Sequence, residues 1–194
     1  MKITAEPVTI AMQTPFRISR GSRTECHVVR VYIEHNGKQA QGECTPYPRY
    51  GESSESVLAQ IQQASSSLEM AFERGMTDPE ELRDHLQSSL TGGAARNAID
   101  CALWDYQAQQ NDQIFPNSLF ELPKQIVTAM TVSIGTPEAM AIQARDYVAN
   151  GAKLLKVKLD GEQVVERVRA VREAAPGVKI VLDANEAWTG HILL

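Results

Sequence analysis

The feature that most constrains this chain is an alternation of apolar strand-like and helical segments between residues 126 and 185. The segments 126–134, 154–159 and 179–185 are apolar and rich in β-branched residues. Two helical segments separate them, one opened by Thr136-Pro137 and one ended by Pro176-Gly177. A β-α-β-α-β order predicts parallel strands joined by right-handed crossovers, because parallel neighbours need a long connection between them.

The start of the chain predicts a different kind of sheet. Residues 1–45 contain three segments that mix β-branched and polar residues, at about 2–12, 27–34 and 39–44. Asn36-Gly37 between the last two is a strong signal for a tight hairpin turn. We therefore predict an antiparallel meander of three strands.

Between and after these strands the sequence predicts two loops and then a helical region. The segment 14–23 carries three arginines and is predicted as a loop between the first two strands. The segment 45–52 carries two prolines and a glycine, which disfavour both helix and strand. Residues 53–110 have apolar residues at helical spacing, and Ser53 or Ser54 is the expected cap of the first helix.

Length and composition limit the classes of protein. The chain has 194 residues, a formal net charge of -5, 43% hydrophobic and 22% charged residues, which is ordinary for a globular protein. The mild acidity gives no reason to expect nucleic acid or a membrane surface as a partner. Three widely spaced cysteines indicate reduced thiols, and neither a signal peptide nor an apolar run of ~20 residues is evident. We expect a cytoplasmic protein.

A meander followed by helices and then by βα units predicts two domains. We place an α+β domain at 1–120 and a β/α barrel domain at 121–194. The chain is shorter than the roughly 250 residues of a complete eight-stranded barrel. The expected fold class is therefore an α+β capping domain followed by the first part of a TIM-like (β/α) barrel, which is incomplete.

Lys156 and Lys158 lie two residues apart in the middle strand segment. Residues at this spacing point to the same face of a strand, so Leu155, Val157 and Leu159 point to the other. Spacing alone leaves two interpretations equally open, an inward pair at the carboxyl end of a barrel strand or a solvated pair on an edge strand. The flanking apolar run favours the inward pair. Two ammonium groups held close disfavour each other's charge, which makes a neutral lysine available as a general base.

Asp183 ends the third strand segment, where a carboxylate is well placed to bind a hard divalent cation. Asn185 faces the same way if the strand continues. The alternative is that either residue caps the element that follows. A single carboxylate is weak evidence for a metal, because Mg²⁺ normally takes several oxygen ligands.

Several motifs in order resemble a known family. The segments 154–160 (Leu-Leu-Lys-Val-Lys-Leu-Asp) and 181–188 (Val-Leu-Asp-Ala-Asn-Glu-Ala-Trp) resemble the enolase superfamily, in its muconate-lactonizing subgroup. Within that subgroup the chain is similar to dipeptide epimerases of the L-Ala-D/L-Glu type. The segments that carry this similarity are 14–23, 42–52, 92–105 and 151–160.

The resemblance implies a capping domain, a modified barrel and roles for particular residues. Lys158 would be one acid/base catalyst, and Lys156 would tune it and lie near the substrate carboxylate. Asp183 would be the first of three Mg²⁺ ligands. Thr131, at the end of the first barrel strand, would line the substrate site.

The two loops would also reach the substrate. The resemblance implies that an arginine of the first loop, Arg20 or Arg23, pairs with an acidic substrate side chain, for which a guanidinium is well suited. Tyr47 and Tyr50 of the second loop are further candidates for closing the site.

The implied activity is Mg²⁺-dependent epimerisation, through an enolate, of an acidic dipeptide from peptidoglycan turnover. The alternatives are another enzyme of the subgroup, such as a cycloisomerase or an o-succinylbenzoate synthase, and a non-catalytic self-associating fragment. The second catalytic lysine and the other metal ligands are expected on later strands that the chain lacks. We therefore expect a C-terminally truncated protein that is inactive by itself or associates through its open sheet edges as a homo-oligomer.

Overall fold

The computed structural model describes residues 1–111 and 125–190. These residues form two compact units. The first consists of residues 1–11 and 25–111, and the second of residues 12–24 and 125–190. The predicted boundary between domains, at residue 120, lies outside the described residues, so the division into 1–120 and 121–194 stays a prediction.

The first unit contains the predicted meander. Its strands are β1 (Lys2–Ile18), β2 (Gly21–His35) and β3 (Lys38–Cys44), in the order β1-β2-β3. β2 and β3 are antiparallel, and Asn36 and Gly37 both have positive φ in the turn between them. This left-handed turn is the one that an Asn-Gly pair favours, so the predicted hairpin is confirmed.

The predicted loop at 14–23 is wrong. β1 continues to Ile18 and β2 starts at Gly21, so only Ser19 and Arg20 remain as a two-residue turn. Pro15 does not interrupt β1, because β1 is an edge strand, where a missing backbone N–H is tolerated. The strand ends at 12–24 belong to the second compact unit.

Three helices share one core with this sheet. They are α1 (Ser54–Glu73), α2 (Pro79–Ser89) and α3 (Ala94–Asn111). Ser53 is the N-cap of α1 and forms a capping box with Ser56. The shared core consists of buried, mainly apolar side chains, and each fully buried Val, Leu or Ile among them contributes about 1.5–3 kcal/mol. It includes Val31, Ile33, Ile61, Leu68, Leu82, Leu86, Ile99 and Leu103.

Small residues let α3 approach β3 closely. A Cβ atom added at Gly42 would collide with the backbone oxygen of Ala98 and the backbone nitrogen of Ala102. Both alanines are fully buried. The small-residue face of this helix is therefore a packing surface that requires glycine on the opposing strand.

The second unit contains a three-stranded parallel sheet. Its elements are β4 (Ala129–Val132), α4 (Pro137–Ala149), β5 (Leu154–Lys158), α5 (Val164–Ala174) and β6 (Lys179–Asp183), and the strand order is β4-β5-β6. The β-α-β-α-β order predicted from the sequence is confirmed.

The strands of this unit are shorter than their predicted segments. The strand predicted at 126–134 spans only Ala129–Val132, the residues that pair with Leu154 to Val157 of β5. α5 starts at Val164 because the Asp160 carboxylate accepts a hydrogen bond from the Glu162 backbone N–H, which holds the preceding segment in a turn.

The two faces of the parallel sheet differ. Leu155, Val157 and Leu159 are fully buried in a core with residues of both helices, including Met140, Ala144 and Val171. Lys156 and Lys158 alternate with them and project from the opposite face. Among the described residues no helix is long and apolar enough to cross a membrane.

Candidate active site

The two lysines of β5 converge on one carboxylate. In the parallel register, Lys158 lies opposite Asp183 of β6. The Nζ atoms of Lys156 and Lys158 each lie 2.8 Å from Asp183 Oδ2. Lys158 is buried, with 6% of its surface exposed, whereas the side chain of Lys156 is 40% exposed. The prediction that the lysines share a face is confirmed, and the interpretation as a freely solvated pair fails for Lys158.

Asn185 completes the surroundings of Lys158. Its Oδ1 atom accepts a hydrogen bond from Lys158 Nζ at 2.9 Å, and its backbone N–H donates to Asp183 Oδ1 at 3.0 Å. The expectation that β6 continues through Asn185 is wrong, because the strand ends at Asp183 and Asn185 adopts a left-handed conformation with φ 48°. The Asp183 carboxylate stabilises this turn, as short polar side chains commonly do.

The electrostatics of the cluster follow from these bonds. Hydrogen bonds from Lys156 and then from Lys158 hold the pKa of the Asp183 carboxyl well below its usual range, although partial burial acts in the opposite direction. Asp183 is therefore ionised at neutral pH. One carboxylate between two lysines fixes the ammonium groups in place and leaves the cluster able to attract an anionic substrate.

Thr131 lies beside this cluster. It is opposite Lys156 in the register of β4 and β5, so both side chains point to the same face of the sheet. Its expected place along the sheet is confirmed, and its contact with a substrate stays a prediction.

The tip of the β1–β2 hairpin lies on the carboxyl ends of the strands. The Ile134 backbone N–H donates to Arg17 O at 3.3 Å, and Ser19 Oγ donates to Asn185 O at 3.2 Å. Arg20 Nη1 forms an ion pair with Glu186 Oε2 at 3.3 Å. These contacts join the tip to the segments that follow β4 and β6.

The Phe16 ring links a hairpin arginine to the buried lysine. Lys158 Nζ lies 5.9 Å and Arg23 Cζ lies 5.4 Å from its centroid, distances at which a cation is attracted to an aromatic ring. Sequence reasoning missed Phe16 and Glu186. An aromatic residue next to the arginines was the available signal for Phe16, whereas nothing in the sequence pairs Glu186 with Arg20.

The second predicted substrate loop lies in the first unit. Tyr47 precedes a one-turn 3-10 helix, Pro48–Tyr50, of which Tyr50 is the last residue, and the two ring centroids are 5.5 Å apart. The Glu52 carboxylate accepts hydrogen bonds from the backbone N–H groups of Tyr47, at 3.0 Å, and Ala94, at 2.7 Å. The loop is thus internally ordered, and the role of the tyrosines in closing a site stays a prediction.

The described residues do not by themselves form a magnesium site. Among them no group of three His, Cys, Asp or Glu side chains is placed to hold a metal ion. Both oxygens of Asp183 already accept hydrogen bonds, Oδ2 from the two lysines and Oδ1 from the Asn185 backbone. One carboxylate is fewer than the oxygen ligands that Mg²⁺ requires.

Comparison with known proteins identifies the family. Residues 1–116 match the family described as "Mandelate racemase / muconate lactonizing enzyme, N-terminal domain", and residues 139–191 match "Enolase C-terminal domain-like". The chain therefore belongs to the enolase superfamily, in its mandelate racemase and muconate-lactonizing branch. The fold class predicted from the sequence, a capping domain followed by an incomplete (β/α) barrel, is confirmed.

Individual relatives narrow the comparison. The chain is 49% identical to the L-Ala-D/L-Glu epimerase of Escherichia coli (strain K12), over 91% of this chain and 53% of that protein. It is similar to an Agrobacterium tumefaciens enolase family member with homology to dipeptide epimerases, bound to sodium and L-Ala-L-Glu (TM-score 0.84, 38% identity, 97% and 55% covered). A dipeptide epimerase from Enterococcus faecalis V583, complexed with Mg and L-Leu-L-Tyr, matches with TM-score 0.82 and 27% identity (98% and 55% covered). The chain spans about half the length of the relatives it matches.

Proposed function

We propose that this chain is the N-terminal part of an epimerase that moves the α-proton of an acidic dipeptide of the L-Ala-D/L-Glu type. The observation that carries the proposal is a buried lysine, Lys158, held by Asp183 and Asn185 at the carboxyl end of a barrel strand. Active sites of β/α barrels lie at this edge. The names of the relatives supply the substrate class.

Lys158 acts as the base in this proposal. In its neutral form, Nζ takes the proton from the substrate α-carbon and becomes an ammonium group, which donates separate hydrogen bonds to Asp183 and Asn185. Lys156, the more exposed lysine, faces the substrate carboxylate and stabilises the negative charge that grows there. The hairpin tip, with Phe16, keeps water from Lys158.

We assign the acidic side chain of the substrate to Arg23. Arg20 is engaged with Glu186, whereas Arg23 lies over the same aromatic ring as Lys158. A dipeptide whose α-carbon faces Lys158 would extend its side chain along Phe16 towards the Arg23 guanidinium. A guanidinium binds a carboxylate through two parallel hydrogen bonds, which gives specificity for an acidic residue.

Magnesium belongs to this proposal as a cofactor of the longer protein. Mg is present in the structure of the Enterococcus faecalis relative and sodium in that of the Agrobacterium tumefaciens relative. Asp183 would supply one carboxylate ligand, and the remaining ligands, like the second catalytic lysine, would come from later strands. When bound, the ion would supply positive charge for the enolate oxygens.

The test is exchange of the α-proton of the glutamate residue of L-Ala-L-Glu in D₂O, followed by NMR. We expect no exchange by the 194-residue chain alone. We expect exchange when it is joined to the C-terminal half of the Escherichia coli relative, with Mg²⁺ present. Changing Lys158→Ala in the joined protein should lower the rate by about 10²–10⁴-fold, the usual contribution of a general base. An unchanged rate would reject Lys158 as the base.

Substrate controls separate the alternatives within the family. L-Ala-L-Ala has no acidic side chain, so its exchange should be slower than that of L-Ala-L-Glu, and Arg23→Met should remove the difference. A cycloisomerase or an o-succinylbenzoate synthase would exchange neither dipeptide. The link to peptidoglycan turnover and the cytoplasmic location stay predictions from the sequence.

A second candidate is a non-catalytic fragment that self-associates. The specific observation is the β6 edge, where Val181 and Leu182 are 46% and 42% exposed. Unpaired strand edges with apolar side chains favour association with another chain. Sedimentation should then show dimers or larger species, and introduction of Val181→Lys on β6 should shift them to the monomer. A wild-type monomer at high concentration would reject this candidate.

A further inference from the structure

Arg167 of α5 is a buried charge with no place in the proposed chemistry. It is only 7% exposed. Because a guanidinium stays protonated even when it is buried, it requires hydrogen-bond partners inside the protein. Its Nε donates to Gly135 O at 2.9 Å, and Nη1 donates to Glu162 O at 2.8 Å and pairs with the Asp160 carboxylate. The guanidinium thus joins the carbonyl of Gly135 to two acceptors of the segment that follows β5.

These acceptors lie beyond the carboxyl ends of neighbouring strands. Gly135 follows β4, and Asp160 comes two residues after Lys158 of β5. From the segment after β6, the Trp188 indole Nε1 donates to Asp160 O at 2.8 Å. Asp160 and Arg167 together therefore connect the segments that follow all three described strands of the parallel sheet.

The segment between Asp160 and Arg167 is held in an unfavourable conformation. Gln163, the residue before α5, has φ 45° and ψ 35°, the left-handed region that non-glycine residues rarely adopt. Such a conformation persists only where neighbouring contacts enforce it. Two hydrogen bonds enforce it here. The Glu162 backbone N–H donates to the Asp160 carboxylate, and the Arg167 guanidinium donates to the Glu162 carbonyl.

We propose that Arg167, acting through Asp160, is a positioning residue that fixes the segments after β4, β5 and β6 and thereby the orientation of Lys158. Lys158 is one peptide away from Leu159, whose N–H donates to Asp183 O at 3.0 Å, and Asp160 comes next. Displacement of Asp160 would therefore move the end of β5 relative to Asp183. This inference holds for any substrate of the site.

Only arginine fits this position. The planar guanidinium presents donors in several directions, so that it reaches two carbonyls and one carboxylate at once. A lysine ammonium keeps the charge but cannot span the same three acceptors. Arg172, five residues on in the same helix, is a matched control, because it also donates to carbonyls, those of Ala175 and Val178, but at the opposite end of α5.

The test uses the ¹⁵N-labelled 194-residue chain, whose two tryptophans give two indole N–H signals. Trp104→Phe assigns the Trp188 signal, and Lys158→Arg assigns the Lys158 ammonium signal. In Arg167→Met we expect hydrogen exchange of the Trp188 indole N–H to become about tenfold faster, because one local hydrogen-bond network is lost. We also expect a change in the chemical shift of the Lys158 ammonium signal. In Arg172→Met we expect neither change.

The backbone amide of Val157, in the buried centre of β5, separates positioning from general stability. A positioning role leaves its exchange unchanged in Arg167→Met, whereas a purely structural role accelerates it together with the indole. Arg167→Lys should restore only part of the wild-type behaviour. Unchanged Trp188 and Lys158 signals in Arg167→Met, equal changes in Arg172→Met, or full rescue by lysine would overturn the proposal. If Arg167→Met does not fold, wild-type signals in folded Arg167→Lys would overturn it.

Discussion

The two compact units differ in what lies on the faces of their sheets. In the first unit, three helices and an antiparallel sheet share one core of mainly apolar side chains. In the second unit, helices cover one face of a parallel sheet, while the other face carries charged residues and meets the hairpin tip. A sheet face that holds the charged residues of an active site cannot also be packed with apolar side chains. Other segments of the chain must therefore shield it from water.

The two sheets also differ at their edges. The first sheet is a complete meander of consecutive strands with short turns. The second ends at β6, whose apolar residues remain partly exposed. We therefore expect the first unit to be the more stable one. The chain offers a direct way to measure this, since Trp104 lies in the first unit and Trp188 in the second.

The largest expected effect is loss of the second unit alone. Leu155→Ala removes a fully buried side chain from its small core and should cost about 2–5 kcal/mol, because the surroundings close such a cavity only in part. Urea unfolding followed separately by each tryptophan should show an earlier transition for Trp188 only. Val181→Ala, on the exposed edge strand, is the control and should leave both transitions in place. A common shift would mean that the units unfold together.

The converse change breaks the first unit. Gly42→Ala places a Cβ against the backbone of α3, which cannot move aside as a flexible side chain would, and should cost about 3 kcal/mol. The Trp104 transition should then move to lower urea. Gly190→Ala, where the added atom meets nothing within 4 Å, is the matched control. A Gly42→Ala protein as stable as the wild type would contradict the close approach of α3 to β3.

Acid should affect the second unit more than the first. The pKa of Asp183 is lower in the folded protein than in the unfolded chain, so its contribution to stability is present above the ordinary aspartate value of about 3.9 and is lost as the pH falls towards the folded value. Asp183→Asn should lower stability at neutral pH by about 2 kcal/mol, since it leaves two lysines without their carboxylate. It should also flatten the acid dependence of the Trp188 transition. An unchanged acid dependence would contradict the assignment to Asp183.

The smallest effect is expected at the surface of the hairpin contact. Glu186→Gln removes the charge that pairs with Arg20 and should cost roughly 0.5 kcal/mol, because both side chains are largely exposed and screened by solvent. Faster hydrogen exchange at the Ile134 amide, which donates to Arg17, would report loosening of the tip. Protection equal to that of the wild type would show that the Ser19 contact with Asn185 suffices to hold it.

Much of the fold could be predicted because local patterns agreed with it. Asn36-Gly37 specified a turn, Ser53 specified a helix start, and the alternation around Lys156 and Lys158 specified which face of β5 is buried. These signals act over a few residues and need no partner from elsewhere. The predicted loop at 14–23 failed because the pairing of β1 with β2 extends through the arginine-bearing segment, and a local pattern does not show how far strand pairing reaches.

The site could be predicted only in part for the same reason. Residue type and strand period placed the two lysines and Asp183 at one edge of a sheet. The contacts that define the site join residues far apart in sequence, such as Lys158 with Phe16, Arg20 with Glu186, and Trp188 with Asp160. Nothing local distinguishes these partners from other residues of the same type.

The sequence by itself determined the order of elements, the two kinds of sheet, the common face of Lys156 and Lys158, and the resemblance to a family. Periodicity and turn chemistry are properties of neighbouring residues, so the chain states them directly. Only the tertiary structure decided that Asp183 bridges both lysines, that a hairpin tip covers Lys158, and that Arg167 joins the ends of three strands. Those facts depend on distances between residues that are far apart in sequence. Once the core has formed, these distances are fixed by the register of the parallel strands and by the pairing of buried charges.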